Sequence, residues 1–234
     1  MARQKKRGGA NGAQLTPERI IGAALAIADL EADLSRLTVR RLATDLGVGT
    51  MTLYSYFRSK DEILDAMADH VLGSMQMPAA APGEGPSEAL HIVAESFLAM
   101  MREHPSVVRL LSTRVTDSRT ALRGAMEAVL ARLIEAGIPG PLAVRCYGFL
   151  ITYAIGFVGY QTPRAWGHAS TAEADEKRRQ RGHFYAGLPV EDFPSVVEYA
   201  DEVADLASDD QFAAGVDAYV DSIMRQLEQA PATT

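Results

Sequence analysis

The chain runs to 234 residues, 47% of them apolar, with a single cysteine, Cys146. That is enough to build one large or two small hydrophobic cores without metal or disulfide staples, and one cysteine rules out an internal disulfide framework. The net charge of −7 is split unevenly: residues 1–60 hold ten Lys/Arg against five Asp/Glu, and the rest hold 13 against 25. An acidic protein with a basic N-terminal quarter is expected to meet a polyanion only through that quarter.

The opening MARQKKRGGANGAQ is basic and Gly-rich with no apolar run behind it, so residues 1–14 read as a flexible arm rather than a secretory signal. The most hydrophobic run, Phe149 to Tyr160, falls short of the roughly 20 residues that span a bilayer. A soluble cytoplasmic protein with no membrane partner is the expectation.

Thr16, Pro17 and Glu18 form a helix start: cap, pre-set first residue, and acid in the first turn. Ile20, Ala24, Ile27 and Ala28 then recur at helical spacing. Thr38 caps a second helix with Leu42, Ala43 and Leu46 on its inner face, and Gly47 stops it. A tight turn through Val48 and Gly49 leads to a short third helix, expected over Thr50–Phe57. Ser59 caps a fourth, with Asp61 and Glu62 in its first turn.

Met77 to Pro86 reads as a loop by its Pro, Gly and Ala content. Beyond it every segment has helical periodicity, ending in a long amphipathic run from about Asp209 to Gln229, and no segment alternates with period two. The fold class is therefore all-α. An N-terminal three-helix domain is expected over residues 15–76, a linker over 77–86, and a larger helical domain over 87–234.

Helix, tight glycine turn and short helix make a helix-turn-helix. On the third helix Leu53 and Phe57 share a face that can pack on Leu42 and Leu46. The opposite face carries Met51 and Ser55, flanked by Thr52 and Tyr54, with Thr50 at the start and Tyr56 on the other edge. Short hydroxyls at a first turn can reach base edges in a major groove, and Met51 can touch a thymine methyl. Tyr54 and Tyr56 can bond phosphates, Lys60 can pair with one, and Arg40 and Arg41 sit where the preceding helix would meet the backbone. Gly49, with no side chain, leaves room for close approach to a phosphate.

LTVRRLATDLGVGTMTLYSYFRSKDEILDAM resembles the signature of the TetR family of bacterial transcriptional regulators. The pattern is carried by Leu42-Ala43, Leu46-Gly47-Val48, Thr52-Leu53-Tyr54, Phe57, Lys60 and Leu64. The resemblance covers Ile20 to Met67 and implies DNA contacts from Arg40, Thr50 to Thr52, Tyr54 to Tyr56, and Lys60. The basic arm, with Arg3, Lys5, Lys6 and Arg7, is either a reader of a neighbouring minor groove or a solubilising tail.

The closing segment DDQFAAGVDAYVDSIMRQLE resembles the end of the subgroup nearest the tetracycline repressor. Its apolar stripe, Phe212, Val216, Tyr219, Val220, Ile223 and Leu227, needs a partner, and Gly148, Thr152 and Gly156 offer a small-residue helix face. In the family two such helices per subunit form a four-helix dimer interface; the alternative is that the stripe closes the subunit's own core. A dimer also suits a palindromic double-stranded DNA operator.

An effector pocket, largely apolar with a few phenols, is expected from Phe97, Met100, Met101, Met126, Tyr147, Tyr153, Phe157 and Trp166. Members that bind tetracycline with magnesium carry a histidine where this chain has Arg109 and Leu110, which argues against that ligand. No metal and no cofactor are expected, because the five histidines lack ligand spacing and no phosphate loop appears. The expected function is a ligand-responsive homodimeric DNA-binding regulator, most simply a repressor, and not an enzyme. The rivals are a small-molecule-binding helical protein without sequence-specific DNA binding and an all-α enzyme; the first lacks a reason for the basic quarter, the second an acid–base set.

Overall fold

Thr16 Oγ1 accepts from the backbone N–H of Arg19 at 3.3 Å, and with Pro17 behind it starts α1, Pro17–Asp29. The computed structural model describes residues 14–30, 33–115, 118–167 and 171–229. Among them there are helices and turns and no strand, as an all-α chain requires. Contacts divide the chain into two units, residues 1–67 and 68–234, parting inside the fourth helix.

In the first unit α1 buries Ile20, Ala24, Leu25 and Ala28. A 3₁₀ turn, Leu34–Arg36, leads to α2, Val39–Asp45, which is capped by Thr38 accepting from Arg41 N at 3.1 Å. Gly47 ends α2 at φ +69°, a conformation that costs a side chain dearly, and Val48 N closes back on Ala43 O at 2.9 Å. The next helix, α3, is Thr50–Tyr54, shorter than the expected Thr50–Phe57. Ser55 tightens its end by donating from Oγ to Thr52 O at 2.7 Å, and the turn lets Phe57 fold inward beside Leu53. Ser59 Oγ then accepts from Glu62 N at 3.1 Å, while Glu62 reaches back to the Arg58 N–H, and α4 runs over Lys60–Gly73.

The second unit contains α5, Pro86–Glu103, and α6, Pro105–Thr113. Arg119–Ala121, Leu122–Glu127 and Ala128–Glu135 run on as one helix, α7, whose middle stretch is π-helical. There the backbones of two segments touch: a Cβ on Gly124 would lie 2.6 Å from Leu72 O and 2.7 Å from Gly73 Cα. After Gly137, at φ +95°, comes α8, Gly140–Gln161. It is long and apolar enough to cross a membrane, longer than the hydrophobic run read from the sequence. Here Leu142, Ala143, Cys146, Leu150, Ala154 and Val158 are buried, and the helix packs on α5, α6 and α7 as the axis of the core.

The chain continues through α9, Ala172–Ala186, α10, Pro194–Glu198, and α11, Ala200–Ala204, to α12, Asp209–Gln229. The basic run on α9 pairs along its own helix, Lys177 with Glu173 at 2.7 Å and Arg178 with Asp175 at 3.2 Å. At the start of α12, Asp209 and Gln161 share the guanidinium of Arg102, whose Nη2 donates to Gln161 Oε1 at 2.8 Å. Gln161 Nε2 in turn donates to Ala207 O at 2.7 Å, so a fully buried amide has both its oxygen and its nitrogen engaged.

The segment read as a linker is held down. Arg132 of α7 donates through Nε and Nη2 to the carboxylate of Glu84 at 2.8 and 2.6 Å, and through Nη1 to Pro78 O. Both side chains are nearly out of water, at 6% and 4% exposure.

Candidate nucleic-acid interface and ligand groove

The short helix α3 is fixed by its inner face and offers its outer one. Leu53 is buried and Phe57 nearly so, while Thr50, Met51, Thr52, Tyr54 and Ser55 all face water, Met51 at 79% exposure. Met51, Tyr54 and Tyr56 are exposed together on one short stretch, and a cluster of that kind fits a contact made outside the chain. Arg40 is exposed on α2, and Arg41 and Lys60 are half-buried.

Two side chains behave differently from expectation. Tyr56 is exposed on its ring edge, but its hydroxyl donates to Leu15 O at 2.9 Å, so its one proton holds the chain just ahead of α1 rather than standing ready for a phosphate. Ser55 has given its proton to Thr52 O and keeps only acceptor capacity. Gly49, the residue before α3, has φ −79° and room for a Cβ, which would meet nothing nearer than Thr52 Oγ1 at 3.8 Å. The fold itself does not demand glycine there. Arg3, Lys5, Lys6 and Arg7 lie outside the described residues.

Among the described residues, no one cavity gathers the eight residues expected to line a pocket. Phe97 and Met101 are core residues of α5, Phe97 edge-on to Tyr147 at 5.8 Å. Met126 is exposed on the π-helical stretch. Tyr153 and Phe157 belong to a seam of rings with Phe212, at 5.1 and 5.0 Å, and Trp166 lies apart, its Nε1 donating to Ala204 O. Met100 alone borders a groove of about 490 Å³.

One wall of that groove is a stripe of α5, Ile92, Glu95, Ser96, Ala99, Met100 and Glu103, and the other is the chain after α4, from Ser74 to Pro78. The spacing of three, four, seven, eight and eleven residues is one side of a helix, adjoining the side that buries Leu90, Val93 and Phe97. That periodicity is legible in the sequence, but a pocket sought through aromatic and sulfur side chains passes over Glu95 and Glu103.

The dimer face also needs correction. Phe212, Val216, Val220 and Ile223 are buried inside the single chain, where α12 packs on α5. Their stripe closes the subunit core, so it is not free to face a second copy. Tyr219 is half-buried, stacked on Phe149 at 3.7 Å, and burial together with its hydrogen bond to Cys146 pushes its phenol far up. Burial likewise raises the Cys146 thiol, against the lowering effects of Tyr219 and the Arg145 charge, which leaves it a poor nucleophile. Leu227 is half-buried. What remains open is the α8 face: Gly148, Thr152 and Gly156 with Phe149, Tyr153 and Phe157 border an apolar concavity of about 520 Å³.

Comparison with known proteins covers both parts of the chain. Residues 20–67 match the bacterial regulatory proteins of the tetR family, and residues 78–227 match the tetracyclin repressor-like C-terminal domain. The HTH-type transcriptional repressor DrrR1 of Streptomyces coeruleorubidus is 37% identical over 142 residues, 61% of this chain and 52% of its own length. The HTH-type transcriptional repressor Rv1353c of Mycobacterium tuberculosis is 33% identical over 141 residues, 58% and 52% of the two lengths. The chain thus spans about half the length of these curated relatives. Among solved structures, the Streptomyces coelicolor TetR family protein ActR in complex with actinorhodin matches with a TM-score of 0.74 at 29% identity, covering 91% of this chain and 96% of that one. Apo ActR from the same organism matches at 0.70 and 28%, over 91% and 98%. With its helix-turn-helix segment and its C-terminal domain both matched, in that order, the chain belongs to the TetR family of bacterial regulatory proteins.

Proposed function

We propose that this protein is a homodimeric transcriptional repressor that leaves a palindromic operator when a small molecule occupies the groove on α5. The observation that carries the DNA half is α3 itself, five residues with Leu53 turned in and Thr50, Met51 and Thr52 turned out at its first turn. Such side chains reach base edges, with Tyr54, Arg40 and Lys60 placed for phosphates. The repressors DrrR1 and Rv1353c are relatives, and ActR is a relative with a ligand bound, which supports repression and a small-molecule effector.

Dimerisation supplies the second reading helix that a two-fold site needs, about 34 Å from the first. The exposed α8 face is the surface that fits this role. The effector acts where α4 ends, because Met75 and Gln76 border the groove two and three residues after Gly73. A ligand moves α4 only through unequal affinity for two arrangements, so effector and operator weaken each other by the same factor. The protein works by binding, not by catalysis.

Purified protein is used to pull down genomic DNA fragments, and the recovered site is titrated at several salt concentrations. A specific, salt-sensitive complex is expected, weakened by Met51→Ala for the recovered site and losing about one unit of salt slope in Lys60→Ala. Binding of every fragment alike at all salt concentrations sinks the proposal.

A further inference from the structure

We infer that the groove on α5 is built for an amphipathic organic cation, an inference that rests on the groove being the effector site. Its floor is apolar, from Ile92, Ala99 and Met100, with Met75 and Pro78 opposite. Its charged side chains are Glu95 and Glu103, and among the described residues bordering it there is no Lys or Arg. Eight residues on one helix place the two carboxylates about 12 Å apart along the groove, one toward each end of the apolar floor.

The cations of α5 are directed elsewhere. Arg102, next in sequence to Glu103, is turned to Gln161 and Asp209, which take its guanidinium. His91, one turn before Glu95, puts its Nε2 on Asp217 at 2.8 Å, although the Glu95 charge still reaches the ring. His104, the remaining titratable group on the wall, lies beside Glu103 at the far end. A neutral apolar ligand entering this groove leaves two carboxylates facing its body and strips part of their water without return. An anion is repelled by both. A ligand with an apolar body and a cationic group matches floor and ends together, and electrostatic matching of that kind sets specificity more than bulk affinity.

The test uses three probes that share a ten-carbon chain: decamethonium, 1,10-decanediol and sebacate, a dication, a neutral and a dianion. Each is titrated calorimetrically into the full chain without DNA, so failure of operator release cannot be mistaken for failure of this result. Decamethonium is expected to bind about tenfold or more tightly than the diol, with sebacate weakest, and the gap is expected to shrink in high salt. Glu95→Gln with Glu103→Gln removes most of the preference, while Glu88→Gln, on the same helix away from the groove, leaves it intact. Equal affinity for decamethonium and the diol, no binding of decamethonium, or an effect of Glu88→Gln as large as that of the groove pair overturns the inference.

Discussion

Arg132 and Glu84 meet in a two-pronged ion pair, at 2.8 and 2.6 Å, that is almost wholly buried and joins α7 to the segment before α5. Removing one partner strands the other's charge away from water. Arg132→Ala or Glu84→Ala is expected to cost the second unit about 3–5 kcal/mol, whereas Arg132→Met with Glu84→Leu returns most of it. Urea unfolding of the three variants measures this, and a single variant as stable as the parent contradicts it.

His91 contacts two acceptors, Ser87 O through Nδ1 and Asp217 Oδ1 through Nε2, each at 2.8 Å. Only the doubly protonated ring donates to both. Partial burial lowers its pKa, but the hydrogen bonds to Asp217 and Ser87 and the charges of Asp217 and Glu95 together raise it above its ordinary 6.5. A raised histidine pKa adds stability that is complete below 6.5 and is lost as pH climbs through the raised value. The pair is 37% and 65% exposed, so screening keeps the effect below about 1 kcal/mol. Unfolding midpoints are expected to fall between pH 6 and pH 8.5 and to fall less in Asp217→Asn; identical slopes for both proteins rule out the His91–Asp217 pair as the cause.

Gly124 lies against backbone that cannot yield locally, since an added Cβ stands 2.6 Å from Leu72 O and 2.7 Å from Gly73 O. Gly124→Ala is expected to cost about 1–3 kcal/mol by overpacking. Gly73→Ala instead meets the Thr120 methyl at 2.6 Å, a side-chain atom that can be removed. Gly73→Ala with Thr120→Ser should therefore recover stability that Gly73→Ala loses, as thermal melts of the two proteins would show.

Gly156 and Gly148 have nothing within 4 Å of an added Cβ. An arginine at 156 is accommodated by the subunit and improves local helix propensity by about 0.8 kcal/mol. If the α8 face joins two copies, Gly156→Arg keeps its circular dichroism and sediments as a monomer where the parent is a dimer. A dimer that survives the change places the interface elsewhere.

Much of the local structure is open to reading. Thr16, Thr38 and Ser59 announce helix starts, Gly47 and Gly137 announce ends, and the bounds Asp209–Gln229 come from periodicity, because these features depend on neighbours a few residues away. The long-range pairs are closed to it: Glu84 and Arg132 are 48 positions apart, His91 and Asp217 are 126 apart. The apolar stripe of α12 has the same pattern whether it closes a core or joins two subunits, and only the packing on α5 decides. The groove is hidden differently, since its carboxylates look like ordinary solvated residues until Met75 and Pro78 face them.

The reading helix gives one more expectation. Serine at 49 keeps the observed backbone angles and adds a capping hydroxyl, so Gly49→Ser should match the parent in stability or exceed it by a few tenths of a kcal/mol. If DNA backbone comes close to residue 49, the same variant binds the operator more weakly in a gel shift. Unchanged affinity shows that the space is not used.

A π-helical stretch is an α-helix holding one residue more than its turns require. In α7 that surplus falls between Leu122 and Glu127, where Gly124 meets the end of α4. Deleting one residue of that stretch restores regular winding and leaves the two flanking parts of the helix in nearly the same phase, because the wider turn advances less per residue than an α turn. If Gly124 itself is kept, the glycine contact and the register of Ala128–Glu135 can both survive such a loss. Related genes should then tolerate a length difference of one residue at this stretch, which the regular turns on either side of it do not.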